Sequence, residues 1–411
     1  MRRREFIRSL MGSLALGVTG TPAMASDRPL RGLYQSGGDF LAVGEFTEFG
    51  EGLFLFDYQG ARLGRLVSEK EGEFRVSSTF LPDGKMIATL MPNGNGVRYR
   101  ERQFRSVTLG QEAFRVRSGP VEIAGEISAR ADHPLRGVVV PIWGSGPGPH
   151  RGLDYWTFQF LACGWAVVTY DKRGSGASSG DWRTSGFDDL ASDVRATLTV
   201  ARERFGRIPV GLIGLSQGGW IAPMLAAQVD FLMLQGGAAV TPARQTLTFV
   251  ESELRAYEFP ESEIAAALAY YALDIDVSRR RRPWAEIERA YEEASARGAE
   301  WLLRPPLAAD APERTMWRLI ADFDPAPLWR ACQIPVLAIF GSKDLIVPPE
   351  PNARLLESFL PAATARRIDV LAGANHLGMV ADKGVTAEYA KCTQVAPGYF
   401  PALSSWLAAR A

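Results

Sequence analysis

The sequence of 411 residues is poor in cysteine and histidine and carries no excess charge. It holds three cysteines and three histidines, and its 46 basic residues are matched by 46 acidic ones. Cys163, Cys332 and Cys392 form no C-x-x-C pair and have no histidine at metal-ligand spacing, so no zinc site is predicted. One disulfide between two of them remains open. The zero net charge argues against a nucleic-acid-binding protein, whose domains usually carry a basic excess.

Long apolar runs are also scarce. Only residues 10–25 form one, after a basic start with Arg2, Arg3 and Arg4. A basic start, an apolar stretch and a small-residue site at 23–25 are typical of a cleavable export signal. The adjacent arginines resemble a twin-arginine signal, which implies export to the periplasm; the alternative is an uncleaved inner-membrane anchor. No other segment is long and apolar enough to span a bilayer, so no stable membrane insertion is expected after signal removal.

The rest of the chain shows two successive patterns. Residues 26–110 alternate short apolar runs with turn signals, which predicts a small antiparallel β module without a catalytic constellation. Residues 111–411 open with a predicted hairpin and continue with apolar runs of strand length between helix-like stretches. Such alternation is typical of a parallel sheet covered on both faces. The strand-length runs are 137–143, 166–170, 210–213, 231–234, 336–340 and 368–371.

The alternation stops between about residues 240 and 330, where the sequence is helical throughout. Trp284, Ile287, Tyr291 and Ala294 follow a 3-4-3 spacing that places them on one helix face. A helical insertion between two strands is predicted to cap the carboxyl edge of the sheet, where ligands bind in open α/β folds. The predicted fold class is α/β, with a mostly parallel sheet, a helical cap insertion and an N-terminal β module.

The strongest chemical signal is the G-x-S-x-G motif at residues 214–218. It follows the predicted strand 210–213 and precedes a helix-like run. In this strand–turn–helix context the motif exposes a nucleophilic serine on a tight turn. Ser216 is therefore the predicted nucleophile. The backbone N–H of Gln217, at the start of the helix, is predicted to stabilise the negative oxygen that forms during the reaction.

A serine hydroxyl needs an adjacent base, and only three histidines are available. His133 lies in a predicted surface turn and His150 in a Gly/Pro-rich loop. His376 follows the last apolar strand, from which it can reach over the sheet edge to Ser216. Asp344 follows the preceding strand and is predicted to orient the imidazole. An aspartate at such a place more often forms a turn or cap, but the order of the three residues favours a catalytic role.

The loop at residues 143–148 follows an early strand and is rich in glycine, so its backbone can approach a ligand closely. A second N–H donor is needed for the oxyanion, and Ser145 is predicted to supply it, with its immediate neighbours as alternatives. His150 ends this loop and could line the pocket, although a structural role is favoured.

These segments resemble the α/β-hydrolase superfamily, in particular its esterase, dienelactone-hydrolase-like and prolyl-oligopeptidase-like members. The resemblance covers residues 111–411 and rests on residues 144–147, 170–176, 214–219, 341–344 and 375–376. It implies that the loop Asp171-Lys172-Arg173-Gly174 braces the oxyanion loop rather than reacting. The sequence departs from the family pattern at Trp143-Gly144, where many relatives carry His-Gly.

The expected function is hydrolysis of carboxylic esters through an acyl-enzyme, with a small-molecule ester or acyl substrate and no cofactor. A peptidase or amidase using the same three residues is an alternative, since peptidases of this superfamily often carry a preceding β module. Residues 26–110 are too few for a propeller of 4–8 blades. An alternative of another class is a non-catalytic binding protein that has kept the fold. No pattern predicts the acyl length or the oligomeric state.

Overall fold

The structure is a computed structural model and describes residues 30–70, 72–81, 83–302 and 304–410. The predicted export signal at residues 1–25 lies outside these residues and stays a prediction. Within the described part of the chain, no helix has both the length and the apolar character needed to cross a bilayer. The described residues form two β-sheets, one closed and one open.

The first sheet is a closed barrel of eight antiparallel strands. Its strands are β1 (Gly32–Ser36), β2 (Asp39–Gly44), β3 (Phe54–Asp57), β4 (Arg62–Lys70), β5 (Glu73–Ser77), β6 (Met86–Pro92), β7 (Gly96–Tyr99) and β8 (Arg102–Ser106). Pairing of β8 with β1 closes the barrel and removes the free edges that an open sheet would expose to other chains. The predicted antiparallel β module is confirmed, and its closure is an addition to the prediction.

The second sheet has eight strands in the order β16-β15-β14-β13-β11-β12-β10-β9. The edge hairpin of β9 (Leu109–Ser118) and β10 (Val121–Arg130) is antiparallel, and the other six strands are parallel to one another. They are β11 (Val138–Ile142), β12 (Ala166–Tyr170), β13 (Val210–Leu215), β14 (Phe231–Gln235), β15 (Val336–Gly341) and β16 (Arg366–Leu371). All but β16 consist entirely of buried residues, which explains their continuous apolar sequences.

Helices cover both faces of this sheet, because alternate residues of its strands pack into two separate apolar clusters. Ile213 and Leu215 belong to one cluster, and Leu212 belongs to the other. The helices outside the insertion are α1 (Asp154–Ala162), α2 (Phe187–Phe205), α3 (Gly218–Ile221), α9 (Pro349–Phe359) and α10 (Tyr399–Ala408). The predicted α/β fold class is therefore confirmed.

The helical insertion lies between β14 and β15. Its helices are α4 (Pro242–Ala256), α5 (Glu261–Ser278), α6 (Trp284–Ala296), α7 (Pro312–Ile320) and α8 (Ala326–Ala331). Ile287 and Ala294 of α6 are buried in the cluster that the insertion forms, and Trp284 and Tyr291 pack against the same cluster. The four residues thus share the face that their spacing predicts.

The barrel packs directly against the α/β layers. Phe46, which follows β2, contacts Tyr155 of α1 with 5.0 Å between ring centroids. Leu63 N donates to Thr393 O at 2.8 Å, and Val395 N donates to Ala61 O at 2.8 Å. These bonds join the barrel to the segment that precedes α10, so the two sheets share one packed structure.

A buried ion pair also crosses this junction. Asp154, the first residue of α1, is fully buried and accepts hydrogen bonds from Arg31 Nε at 2.8 Å and Arg31 Nη2 at 2.7 Å. It also accepts one from Glu45 N at 2.9 Å. Burial raises the pKa of the Asp154 carboxyl, and the arginine opposes that shift. A Cβ at Gly44 would lie 2.6 Å from Asp154 Cβ, so the close approach of β2 to α1 requires a glycine there.

Candidate active site

Ser216 lies in the sharp turn between β13 and α3. Its φ angle is +50°, a left-handed conformation that L side chains rarely adopt and that marks strain at a functional position. A Cβ at Gly214 would lie 2.5 Å from Gly218 O, and a Cβ at Gly218 would lie 2.6 Å from Ile142 O. The two glycines of the motif are therefore needed because the turn passes too close to the backbone of its neighbours.

His376 and Asp344 lie side by side on the loops after β16 and β15. His376 Nδ1 and Asp344 Oδ2 are 2.8 Å apart. The other Asp344 oxygen accepts the N–H groups of Ile346 at 2.9 Å and Val347 at 2.7 Å. Both side chains are buried. The carboxylate is thus fixed by its own loop and in turn fixes the orientation of the imidazole.

Burial would lower the pKa of the His376 imidazole, but the charge and hydrogen bond of Asp344 outweigh it, and the charge of Glu48 adds to them. The net effect raises the pKa above the ordinary value of 6.5. His376 Nε2 is buried and has no hydrogen-bond partner among the described residues. A buried polar nitrogen without a partner is costly, and this one is available to a ligand.

Gln235 at the end of β14 connects the serine with the histidine. Its backbone oxygen accepts Ser216 N at 2.9 Å, and its side-chain Nε2 donates to His376 O at 3.1 Å. The next residue, Gly236, has φ +57°, and a Cβ there would lie 2.6 Å from His376 Cε1. The structure therefore brings Asp344 and His376 into contact. It also holds Ser216 and His376 against the same end of β14. Among the described residues, the side chains of Ser216 and His376 form no hydrogen bond with each other.

The loop after β11 passes next to the serine. A Cβ at Gly144 would lie 3.5 Å from Ser216 Cβ, so the predicted oxyanion loop borders Ser216. Ser145 follows and is exposed. Neither Ser145 N–H nor Gln217 N–H donates a hydrogen bond to any described residue. Both predicted donors are therefore free to bind a ligand.

Lys172 is the residue that joins these two donor segments. Its Nζ donates to Gly144 O at 2.9 Å, to Gly146 O at 3.1 Å and to Gln217 Oε1 at 2.7 Å. The side chain is buried, and burial lowers the pKa of the ammonium to about 7 against the opposing charge of Asp193. In a trans peptide the C=O and N–H point in opposite directions. Holding Gly144 O toward Lys172 thus turns the Ser145 N–H the other way.

The remaining contacts of this loop are structural. His150 Nδ1 lies 2.9 Å from Asp171 Oδ1, and His150 N donates to the same oxygen. The Trp143 ring lies against the backbone of the loop, because a Cβ at Gly148 would lie 2.4 Å from its Cγ and one at Gly152 would lie 2.5 Å from its Cη2. Trp143 therefore fills the space beneath the loop.

The third histidine and the cysteines lie outside this arrangement. His133 is half-buried, with its Nδ1 2.7 Å from Pro134 O and its ring against Gly164, where an added Cβ would lie 2.7 Å from His133 Cε1. Cys163, Cys332 and Cys392 are all free thiols. Within the described ranges, no group of three His, Cys, Asp or Glu side chains is arranged to hold a metal ion.

One residue near the site was not predicted from the sequence. Glu48 lies on a single 3₁₀ turn (Thr47–Phe49) between β2 and β3 of the barrel, and its charge acts on His376. The sequence around it, Thr47-Glu48-Phe49-Gly50, has no motif that indicates chemistry. Only the packing of the barrel against α1 brings this loop to the site.

Solved structures with a similar fold share little sequence with this chain. A proline iminopeptidase from Mycobacterium smegmatis is 15% identical with a TM-score of 0.47, and the match covers 73% of this chain and 98% of that one. An esterase from Thermogutta terrifontis is 20% identical with a TM-score of 0.42, covering 73% and 99%. A bromoperoxidase from Bacillus anthracis is 19% identical with a TM-score of 0.42, also covering 73% and 99%.

Comparison with curated protein sequences found no match. The model of the "Alpha/beta hydrolase family" matches residues 138–388, which run from β11 through the insertion to the segment after His376. This region is more than half of the chain and contains every residue of the candidate site except Glu48. The chain belongs to the alpha/beta hydrolase family.

Proposed function

We propose that this member of the family is a serine hydrolase that cleaves carboxylic esters, with Ser216 as nucleophile, His376 as general base and Asp344 as the residue that orients it. The observation that carries the proposal is the state of the His376 imidazole. Its Nδ1 is held by Asp344 at 2.8 Å, its Nε2 is buried without a partner among the described residues, and Gln235 binds the backbones of both His376 and Ser216. A base prepared in this way needs only the hydroxyl proton.

In the proposed reaction, Ser216 Oγ attacks the acyl carbon while its proton moves to His376 Nε2. The negative charge that develops on the carbonyl oxygen is stabilised by the N–H groups of Gln217 and Ser145. His376 then gives the proton to the leaving alcohol, and the acyl group remains on Ser216. Water then attacks the acyl carbon while losing a proton to His376, and His376 returns that proton to Ser216 Oγ as the acyl–oxygen bond breaks and the carboxylic acid leaves. Asp344 stabilises the imidazolium throughout.

The role proposed for Lys172 follows from its three acceptors. An ammonium group donates three hydrogen bonds, and all three hold the segments that carry the proposed N–H donors. Donors fixed before the substrate arrives need no reorganisation during the reaction, which is where such sites gain most of their rate. Lys172 is thus a positioning residue, since it contacts the donor segments rather than the substrate.

The proposal is tested by covalent labelling and by turnover. We expect a fluorophosphonate probe to label the wild-type protein at Ser216 and the Ser216→Ala variant not at all. Turnover of p-nitrophenyl esters should fall by several orders of magnitude in Ser216→Ala, with the thermal unfolding temperature maintained. Ser358→Ala, at an exposed serine on α9, is the matched control. Unchanged turnover in Ser216→Ala would refute the assignment.

The ester preference is tested separately. A panel of p-nitrophenyl esters of increasing acyl length is compared with a panel of aminoacyl anilides on the same preparation. We expect higher kcat/KM on the esters. Faster cleavage of the anilides, with Ser216 labelled by the probe, would keep the nucleophile and replace the reaction class by that of a peptidase or amidase.

A further inference from the structure

The loop between β2 and β3 of the barrel is fixed on both sides of Glu48. On one side, Phe46 packs against Tyr155. On the other, the Phe49 ring stacks on Phe80 with 4.0 Å between centroids and an interplanar angle of 12°. A Cβ at Gly152 would lie 2.2 Å from Thr47 Oγ1, so the turn also touches the segment beyond the oxyanion loop. The position of Glu48 is therefore set by packing.

This loop faces the proposed catalytic residues. Tyr155, the ring that contacts Phe46, donates its hydroxyl to Gln235 Oε1 at 3.3 Å, and Gln235 binds both Ser216 and His376 through its other polar groups. The Glu48 carboxylate acts electrostatically on His376 and also on the hydroxyl groups of Tyr155 and Tyr389. These groups belong to three different segments, so the carboxylate is within electrostatic range of the proposed active site.

The Glu48 side chain is open to solvent, yet the surrounding protein raises the pKa of its carboxyl by desolvation, against the charge of His376. The carboxylate is therefore accessible to a ligand and is partly desolvated by the neighbouring protein. No hydrogen bond or ion pair joins Glu48 to another described residue, and no described arginine or lysine contributes to its pKa shift. Glu45, three residues earlier, differs because Arg31 and Arg151 act on it.

The catalytic imidazole does not use the hydrogen-bonding capacity of Glu48. Asp344 occupies His376 Nδ1, and Nε2 is the atom proposed to serve Ser216. The one lysine near the nucleophile, Lys172, already has three acceptors. The oxygens of Glu48 are therefore left for a ligand. Because these oxygens carry negative charge and no described arginine or lysine acts on them, the fitting ligand is the cationic end of a substrate, an ammonium or a protonated amine.

Resting on the proposed ester hydrolysis, we propose that Glu48 is a specificity-determining residue through which the barrel selects substrates that carry an ammonium or protonated amine near the scissile acyl group. The barrel would thus supply part of the substrate-binding cleft in addition to its packing surface. A carboxylate in a partly desolvated cleft attracts a cation far more strongly than one in open water.

The test uses substrate pairs that differ only in charge. For a cation on the acyl side, p-nitrophenyl 4-(trimethylammonio)butyrate is compared with p-nitrophenyl 5,5-dimethylhexanoate, in which carbon replaces nitrogen. For a cation on the alcohol side, acetylthiocholine is compared with 3,3-dimethylbutyl thioacetate. The measured quantity is the selectivity ratio, kcat/KM for the cationic member divided by that for its neutral isostere. In the wild type we expect a ratio of about ten or more in at least one pair.

Glu48→Gln keeps the shape of the side chain and removes its charge, so it should lower that ratio by about tenfold. Glu51→Gln removes the same charge from the same loop, at an exposed position, and should leave the ratio unchanged. A ratio near one for the wild type in both pairs would overturn the proposal without any variant. An equal loss in Glu48→Gln and Glu51→Gln would also overturn it, because the effect would then be one of net charge.

Failure of this inference is distinguishable from failure of the proposed function. Fluorophosphonate labelling of Ser216 and hydrolysis of the neutral esters report the catalytic residues alone. If both are found and charge selectivity is absent, only the role of Glu48 is refuted. If the probe leaves Ser216 unlabelled and no ester is hydrolysed, the proposed reaction itself is refuted.

Discussion

Replacing Lys172 with methionine would remove the ammonium group that joins both proposed oxyanion donors while keeping an unbranched side chain of similar length. In the wild type this group donates to Gly144 O, Gly146 O and Gln217 Oε1 at 2.7–3.1 Å. The thioether donates no hydrogen bond, so all three acceptors lose a partner. The peptide that carries the Ser145 N–H is then free to rotate.

The expected effect on stability is small because two contributions oppose each other. Each acceptor left unpaired in the interior costs about 1–3 kcal/mol. Against this, methionine does not have to be desolvated as a charge, and burial is strong enough to bring the pKa of the Lys172 ammonium to about 7. Replacing buried charges by apolar groups is often near neutral. We expect the free energy of unfolding to fall by about 1–3 kcal/mol, with the variant still folded.

The expected effect on catalysis is larger. Loss of one oxyanion donor typically lowers kcat by about 10²–10³, and a donor that is present but misplaced loses most of the same interaction. We therefore expect kcat of Lys172→Met to fall by about 10²-fold. KM should change by less than about threefold, because the interaction strengthens only as the oxyanion forms.

The assay is steady-state hydrolysis of a neutral p-nitrophenyl ester, combined with inhibition by an alkyl trifluoromethyl ketone, which forms an oxyanion on the serine. The inhibitor should lose affinity in proportion to the loss in kcat/KM. Lys391→Met, at an exposed lysine, is the matched control. A rise in KM at unchanged kcat, or unchanged inhibitor affinity, would refute the positioning role, as would a loss of activity that merely follows the unfolded fraction.

Three further results are expected. Gly236→Ala places a Cβ 2.6 Å from His376 Cε1 and should lower kcat/KM by about 10²-fold. The control is Gly206→Ala, at a glycine with a similar φ and nothing within 4 Å of the added Cβ; it should lower stability and leave kcat/KM unchanged. The kcat/KM–pH profile should fall toward acid with an apparent pKa above 6.5, because the pKa of His376 is raised and its protonated form accepts no proton. Arg31→Met leaves Asp154 buried and unpaired, and urea unfolding should show a loss of about 3–5 kcal/mol.

Much of the α/β part was predictable because its strands are buried on both faces. Such strands read as continuous apolar runs, and the loops at their carboxyl ends carry the ligand-binding residues. The glycines at 214 and 218 also indicated a tight turn. A Cβ at either position would collide with a backbone oxygen, that of Gly218 or that of Ile142. Local sequence therefore specified the loops on which Ser216, Asp344 and His376 lie.

Other features depend on contacts between residues far apart in the chain and leave no local pattern. Closure of the barrel rests on two residue pairs between β1 and β8, Tyr34 with Ser106 and Gln35 with Arg105. The family resemblance implied that the loop of Lys172 braces the oxyanion loop, but it did not give the three acceptors, which lie 26–45 residues away. Glu48 looked like an ordinary loop residue, because only the packing of β2 on α1 determines what it faces.

The ion pair that attaches the barrel indicates that the barrel is held in a fixed position relative to the candidate site. Asp154 receives Arg31 from the start of the barrel and Glu45 N from the loop that leads to Glu48. A buried ion pair adds little stability over a well-packed apolar contact, so stability alone does not account for its presence. Unlike an apolar contact, it fixes the separation and orientation of two segments to within hydrogen-bond geometry. The role proposed for Glu48, binding the charged end of a substrate beside Ser216, requires that precision, whereas a barrel that only covered apolar surface would not.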